Sequence, residues 1–90
     1  MARFFFDVYD PRVTYHDPDG VDCPDRAAVS EEALRALCEI AADEPGRYVD
    51  NPLRIEVRDA ANRVVMTASV GLTAAWHAEG ESAVTARDAA

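Results

Sequence analysis

Residues 25–44, DRAAVSEEALRALCEIAADE, form the one long amphipathic pattern of the chain and constrain its fold most strongly. Apolar residues recur there at the three- and four-residue spacing of a helix. They predict an inward stripe of Leu34, Leu37, Cys38 and Ala41, widened by Val29, Ala33 and Ile40. Asp25 is placed to cap the first turn, and Pro45 followed by Gly46 ends the pattern. A helix with one apolar side needs a sheet on which to pack.

The segment before this helix predicts a β-hairpin. Residues 3–9, RFFFDVY, have strand propensity, and Asp7 breaks the apolar run so that the two faces can be assigned. The predicted inward residues are Phe4, Phe6 and Val8, and the predicted outward residues are Phe5, Asp7 and Tyr9. A turn at Pro11 leads to a short strand over residues 13–16. If that hairpin has a two-residue loop, Asp7 lies opposite His16 on the outward face. The carboxylate beside the imidazole would then make binding of another protein through this face mildly sensitive to pH.

The segment after the helix predicts a second hairpin. A polar connection over residues 47–52 precedes the strand at residues 53–58, LRIEVR, in which apolar and charged side chains alternate. Its inward residues are Leu53, Ile55 and Val57, and its outward residues are Arg54, Glu56 and Arg58. Asn62 suits the left-handed position of the following loop. The chain then returns over residues 63–70 with Val64, Met66, Ala68 and Val70 inward.

The element order ββαββ predicts an α+β two-layer domain. The expected architecture is a four-stranded, mainly antiparallel sheet with one long helix across one face, and the Phe-rich first strand lies near its centre. We expect a single domain over residues 1–70. Residues 71–90 read as a C-terminal tail, with a short helical turn around Trp76 and a frayed end.

The same segments resemble a known family. The resemblance is carried by the opening RFFFDVYD, the turn with Gly20, the Pro24-Asp25 helix start, the Glu32-Ala33-Leu34 run, and RIEV followed by NRV at Arg54–Val57 and Asn62–Val64. The chain is similar over roughly residues 1–70 to a family of short bacterial proteins catalogued only as a domain of unknown function. Members of that family usually carry His at the position of Asp7. The resemblance implies the same fold and no known activity.

The charge balance narrows the classes of partner. The chain has 17 acidic and 9 basic residues and a formal charge of −8. Such a surface repels phosphate backbones and anionic lipids, which disfavours nucleic-acid and membrane binding. No apolar run approaches the roughly 20 residues of a membrane span, and the N-terminus lacks the core of a signal peptide. We therefore expect a cytoplasmic protein.

Catalytic and metal-binding motifs are not evident in the sequence. It has no Gly-rich phosphate loop, C-x-x-C or H-E-x-x-H pattern, and we predict no catalytic, cofactor-binding or metal-binding residue and no enzyme activity. The alternative is a metal or ligand site in the loop between His16 and Cys23, or a minor enzyme. Cys23 and Cys38 should lie about 20 Å apart, too far to form a disulfide. Cys38 is predicted to be a small core residue on the apolar stripe of the helix.

The surface opposite the helix is the predicted interaction surface. Aromatic and Arg side chains are enriched where proteins bind one another. The candidate residues are Phe5, Asp7, Tyr9, His16, Arg54, Arg58 and Trp76. A sheet edge is the second route, because the last strand is not protected by charges along its length. The hypothesis is a small non-catalytic interaction or structural module that binds a protein partner or forms a homo-oligomer such as a homodimer. Alternatively, the tail folds back and Trp76 covers this surface.

Overall fold

The computed structural model describes residues 1–78 and has the α+β architecture expected from the sequence. Its elements are β1 (Ala2–Tyr9), β2 (Thr14–Tyr15), β3 (Val21–Cys23), α1 (Arg26–Asp43), a 3-10 helix (Pro45–Tyr48), β4 (Leu53–Arg58) and β5 (Val64–Val70). No helix in this part of the chain is long and apolar enough to cross a membrane. The helical turn expected around Trp76 is absent over residues 73–78, and the expected frayed end lies outside the described residues.

The sheet is antiparallel and has β1 near its centre, as predicted. Its strand order is β2-β1-β4-β5, and β3 also pairs with β1. β2 pairs with Val8 and Tyr9, whereas β3 pairs with residues 2–4. The two short strands therefore follow one another along one side of β1, with residues 16–20 bulging between them. The expected extended entry to α1 thus adds a fifth strand to the four predicted.

α1 packs through a narrower stripe than the sequence predicted. The carboxylate of Asp25 accepts the N–H of Ala28 at 2.9 Å, which confirms the predicted cap. The buried residues of α1 are Val29, Ala33, Leu37 and Ala41, spaced four apart. Leu34 and Cys38 were predicted to face inward, but both are exposed, because each lies about 100° round the helix from a buried neighbour. The apolar residues of the sequence pattern cover about half of the helix circumference, but only part of that half contacts the sheet.

Cys38, which was predicted to be a core residue, is exposed. Cys23, at the end of β3, is buried in the core. Burial, together with the acidic residues nearby, raises the pKa of the Cys23 thiol. Both thiols are free, in agreement with the distance argument from the sequence.

The rest of the core comes from β1, β4 and a residue that the sequence analysis placed in a polar connection. Leu53, Ile55 and Val57 of β4 are all buried, as their alternation predicted. Tyr48, at the end of the 3-10 helix, is also buried, and its hydroxyl donates a 2.6 Å hydrogen bond to the carboxylate of Asp10. This bond satisfies the one polar group that Tyr48 brings into the core.

A bulge in β5 changes which side chains face the helix. Val57 pairs with Met66 but Arg58 pairs with Val64, so Val65 is the extra residue. Val64, predicted inward, therefore lies on the side of Arg58 and is exposed. The preceding loop follows the prediction, with Asn62 in the left-handed region at φ 66°.

Two leucines of α1 provide a matched test of how the helix packs. Leu37 is 1% exposed and Leu34 is 51% exposed, although both belong to the apolar pattern. We expect Leu37→Ala to lower the free energy of unfolding by about 2–5 kcal/mol, through lost burial and the cavity left behind. Leu34→Ala should cost less than about 1 kcal/mol. Chemical denaturation measures both changes. Equal losses of unfolding free energy in the two variants would contradict this packing of α1.

Candidate functional site

The face of the sheet away from α1 is built from three cross-strand pairs. Antiparallel pairing of β1 with β4 sets Phe5 opposite Arg58, Asp7 opposite Glu56 and Tyr9 opposite Arg54. We call these six side chains the outer face. His16 joins them, since its ring lies beside both Tyr9 and Asp7. Six of the seven residues in the predicted interaction surface thus come together, and only Trp76 lies elsewhere.

Asp7 is at the centre of the outer face and is buried, not exposed. Its side chain is 2% exposed, and Arg58 binds it through both carboxylate oxygens. Arg58 Nε lies 2.6 Å from Oδ2 and Nη2 lies 3.0 Å from Oδ1. The N–H of Asp17 donates to Oδ1 at 3.1 Å, and His16 Nδ1 is 3.6 Å from Oδ2. The hydrogen bond from Arg58 is the main reason why the pKa of Asp7 lies below its ordinary value.

The loop over residues 16–20 covers Asp7 and is held by a second carboxylate, that of Asp17. Its Oδ2 accepts the N–H of Phe6 at 3.1 Å, at the point where neither short strand pairs with β1. Its Oδ1 accepts the N–H groups of Asp19 and Gly20. The carboxylate of Asp17 therefore replaces a missing strand partner. The sequence predicted a turn here but gave no sign of this strand contact.

Gly20 allows the same loop to approach β1 closely. Its φ is +75°, a conformation that other residues rarely adopt. A Cβ at this position would also lie 2.9 Å from the ring of Phe5 and from the carbonyl oxygen of Phe4. Both constraints favour glycine.

The aromatic rings of the outer face are partly covered, which corrects the expected exposed patch. The guanidinium of Arg54 lies 4.3 Å from the centre of the Tyr9 ring, and that of Arg58 lies 5.1 Å from the centre of the Phe5 ring. Phe5 and Tyr9 are both partly buried. The outer face is thus a paired, charged surface with a shallow concavity of about 550 Å³ beside Tyr9 and His16.

The loop between His16 and Cys23 does not assemble the alternative metal site. The carboxylate of Asp17 already accepts backbone N–H groups, and Cys23 is buried in the core. Within residues 1–78, no group of three or more His, Cys, Asp or Glu side chains is arranged to hold a metal ion. These polar residues instead fix the loop to β1.

The two sides of the sheet differ sharply in how they are protected. The side with β2 and β3 is short, interrupted and rich in Asp and Pro. The other side is β5, seven residues long, with no strand beyond it in the described part of the chain. Residues 64–78, VVMTASVGLTAAWHA, contain no Asp, Glu, Lys, Arg or Pro, although 29% of the whole chain is charged. The lack of charge protection along the last strand was predicted, but the uncharged run extends beyond that strand to Ala78.

Trp76 does not cover the outer face. Trp76 is fully exposed, at 102% of its reference area. The chain before it is fixed by the N–H of Leu72, which donates to the carbonyl of Tyr48 at 2.9 Å, and by a parallel bridge between Leu72 and Val49. The hypothesis that Trp76 shields the aromatic residues of β1 is therefore wrong.

Comparison with protein families agrees with the resemblance seen in the sequence. The family described as Domain of unknown function (DUF6894) matches residues 3–71. The chain belongs to the DUF6894 family. The match begins at the second residue of β1, contains the other strands, α1 and the whole outer face, and ends before Trp76. No curated protein and no solved structure matches the chain.

The buried ion pair makes a strong prediction for stability. Asp7→Asn keeps the shape of the side chain but removes the charge that compensates Arg58. We expect it to lower the free energy of unfolding by about 3 kcal/mol. Asp19→Asn, at an exposed position in the same loop, should change it by less than about 0.5 kcal/mol. Urea denaturation of both variants measures this, and an Asp7→Asn protein as stable as the parent would show that the pair is not stabilising.

The same pair predicts a dependence of stability on pH. Because Arg58 lowers the pKa of Asp7 in the folded state, its contribution is present above the unfolded value, ordinarily 3.8, and is lost as the pH falls through the folded value. We expect stability to decline below about pH 4. The stability of the Asp7→Asn variant should decline less over this range. Part of the decline should remain, because the pKa values of Asp10 and Asp59 are also lowered. Thermal unfolding from pH 6 to pH 2 measures the difference, and identical profiles would contradict it.

Proposed function

We propose that this domain is a small non-catalytic interaction module that receives an extended protein segment at the open edge of β5. The observation that carries the proposal is a seven-residue edge strand without a charged residue or proline, VVMTASV. Edge strands in monomeric proteins are usually blocked by charges, proline, bulges or short length, because an open edge pairs with other chains. This domain blocks its other edge, whereas the bulge at Val65 interrupts only the start of β5 and leaves residues 66–70 available.

Strand addition explains what β5 offers a partner. In an antiparallel sheet, the residues of an edge strand alternately direct their N–H and C=O groups toward the neighbouring strand and away from it. A partner strand satisfies the groups directed away, which gives affinity with little dependence on sequence. Thr67 and Ser69 present hydroxyls on one face, while Met66 and Ala68 lie toward the core on the other. These side chains would supply the preference for one partner over another.

The outer face contributes to the same surface. Glu56 pairs with Thr67 and Arg54 pairs with Ser69, so the charged side chains of β4 lie one strand away from the partner. Arg54 and Glu56 form an ion pair at 2.9 Å and are partly exposed. A partner on β5 would meet them at the side of its strand. The polar groups of the outer face bind one another, which favours a rigid support over a catalytic centre.

The proposal predicts where a ligand protects the backbone. Octapeptides selected against the domain from a displayed random library should slow amide hydrogen exchange at residues 64–70 and not along β2 or β3. Thr67→Lys places a charge on the exposed side of the open edge and should weaken peptide binding at least tenfold. Thr14→Lys makes the same chemical change on the opposite edge and should bind as the parent does. Hydrogen exchange and titration of labelled peptide measure the two effects.

The same experiments can contradict the proposal that β5 binds a partner strand. If the selected peptides protect another surface, or bind the Thr67→Lys and Thr14→Lys variants equally well, the β5 edge is not the working surface. A library that yields no binding peptide would also count against the proposal. Both lysines reduce the negative charge of the protein by one, so a difference between the variants cannot arise from net charge.

A further inference from the structure

We infer that the segment received at the β5 edge is β5 of a second copy of this chain, and that Trp76 of each copy docks in an apolar pocket of the other. This inference rests on the proposed function, because it requires the open edge. It adds the identity of the partner and a second contact. The observations behind that contact are a fully exposed tryptophan and an apolar pocket at the far end of β5.

The pocket lies where the first turns of α1 pass over the start of β5. It has a volume of about 480 Å³, within the range of about 300–1,000 Å³ typical of ligand pockets. Its apolar lining comes from Phe4, Val29, Val65 and Met66, and Arg26 and Asp59 add polar groups. An apolar concavity of this size beside an open edge is suited to one large aromatic side chain.

Trp76 is the side chain that would occupy such a pocket. It is the one tryptophan of the chain, and its whole surface meets solvent. A tryptophan in a folded protein commonly buries about 150–250 Å². Its neighbours, LTAAWHA over residues 72–78, are uncharged in a protein whose formal charge is −8. The segment can therefore approach a second copy without adding a carboxylate to the contact.

A two-fold arrangement brings the two features together. Antiparallel pairing of β5 with itself about Thr67 sets Val64 opposite Val70 of the second copy. The second chain then leaves Val70 at the start of the first β5, beside Val65 and the pocket. In that copy Leu72 is fixed two residues further on, and Trp76 lies up to about 14 Å beyond Leu72. By symmetry, each copy delivers its tryptophan to the other.

The same pocket is out of reach within one chain. β5 is about 20 Å long, and its own tail begins at the end away from the pocket. Leu72 is fixed there by its hydrogen bond to Tyr48. The four residues from Leu72 to Trp76 span at most about 14 Å. A second copy therefore supplies the tryptophan more readily than the chain itself.

The pairing also places no like charges opposite one another at the seam, although each chain is acidic. About the Thr67 axis, Thr67 meets Thr67 of the second copy and Met66 meets Ala68. Thr–Thr and apolar cross-strand pairs are favourable, whereas like charges directly opposite one another are destabilising. β5 brings no charged side chain to this seam.

The single tryptophan makes the inference directly measurable. In analytical ultracentrifugation the wild-type chain should sediment as a dimer that dissociates on dilution. Across the same dilution series its tryptophan emission should shift from blue to red. Trp76→Ser should raise the dimer dissociation constant by roughly 30-fold or more, as expected for a central aromatic contact. Thr67→Lys should weaken the dimer and expose Trp76 at concentrations where the wild type is dimeric.

A pocket variant separates docking of Trp76 from strand pairing. Ser30 lines the pocket from α1 and is not part of β5, so Ser30→Tyr should fill the pocket and weaken the dimer about as much as Trp76→Ser. Ala27→Tyr, at an exposed position of α1, is the control and should not. A mixture of the Trp76→Ser and Ser30→Tyr chains should prefer heterodimers, because only the mixed pair restores one tryptophan in one intact pocket.

Three results would overturn the inference. One is a wild-type chain that stays monomeric at all concentrations. The second is a Trp76→Ser dimer as tight as the wild type, and the third is a shielded Trp76 whose emission does not change on dilution. None of them removes peptide-dependent protection of residues 64–70, so the proposed function would stand. Peptides that fail to protect those residues would overturn both.

Discussion

The buried pair of Asp7 and Arg58 connects the parts of this domain that would otherwise be independent. A carboxylate in the middle of β1 is costly to bury unless its charge and its hydrogen bonds are compensated. Arg58 supplies two of those bonds from β4, and the backbone N–H of Asp17 supplies another from the covering loop. The same guanidinium also donates to Asn62 in the second hairpin loop at 2.9 Å. This one ion pair thus fixes four segments relative to one another, namely β1, β4, the covering loop and the second hairpin loop.

This arrangement explains why one side of the sheet is closed. The loop over residues 16–20 lies against β1 because Asp7 and Asp17 each accept backbone N–H groups across the gap. β2 and β3 are then held along β1 even though they have only two and three residues. Their brevity, their Asp residues and the neighbouring prolines make this side a poor template for a further strand. Under the proposed function, a partner strand is thereby directed to β5.

The tail leaves the domain in a direction that the core determines. Tyr48 is buried under the sheet by its packing and by its hydrogen bond to Asp10, and its carbonyl in turn accepts the N–H of Leu72. These contacts lie just beyond the end of β5, and the uncharged residues that follow them are exposed. An interaction module needs its adhesive segment to be presented and not buried in its own core. Under the proposed function, the core contacts of Tyr48 present that segment to a partner.

Much of the fold could be predicted because it rests on local patterns. The Asp25 cap and the alternation over Leu53–Arg58 fixed α1 and β4, since capping and period-two burial depend on neighbouring residues alone. The pairing of Asp7 with His16 followed from counting through a two-residue hairpin loop, and the left-handed Asn62 from loop chemistry. Six of the seven predicted surface residues meet for the same reason, because alternation decides which side chains share a face.

Tertiary structure decided the rest, where the outcome depends on what a side chain meets across space. Leu34 and Cys38 fit the apolar pattern of α1 as well as Leu37 does, yet the sheet contacts too narrow a strip of the helix to bury them. Asp7 looked like a solvent-facing break in the aromatic run until Arg58 and the covering loop enclosed it. The bulge at Val65 turned Val64 outward, and the anchor at Leu72 kept Trp76 in solvent. The sequence by itself determined the elements and their faces, whereas only their assembly decided which faces are closed, because burial is a property of the partner surface.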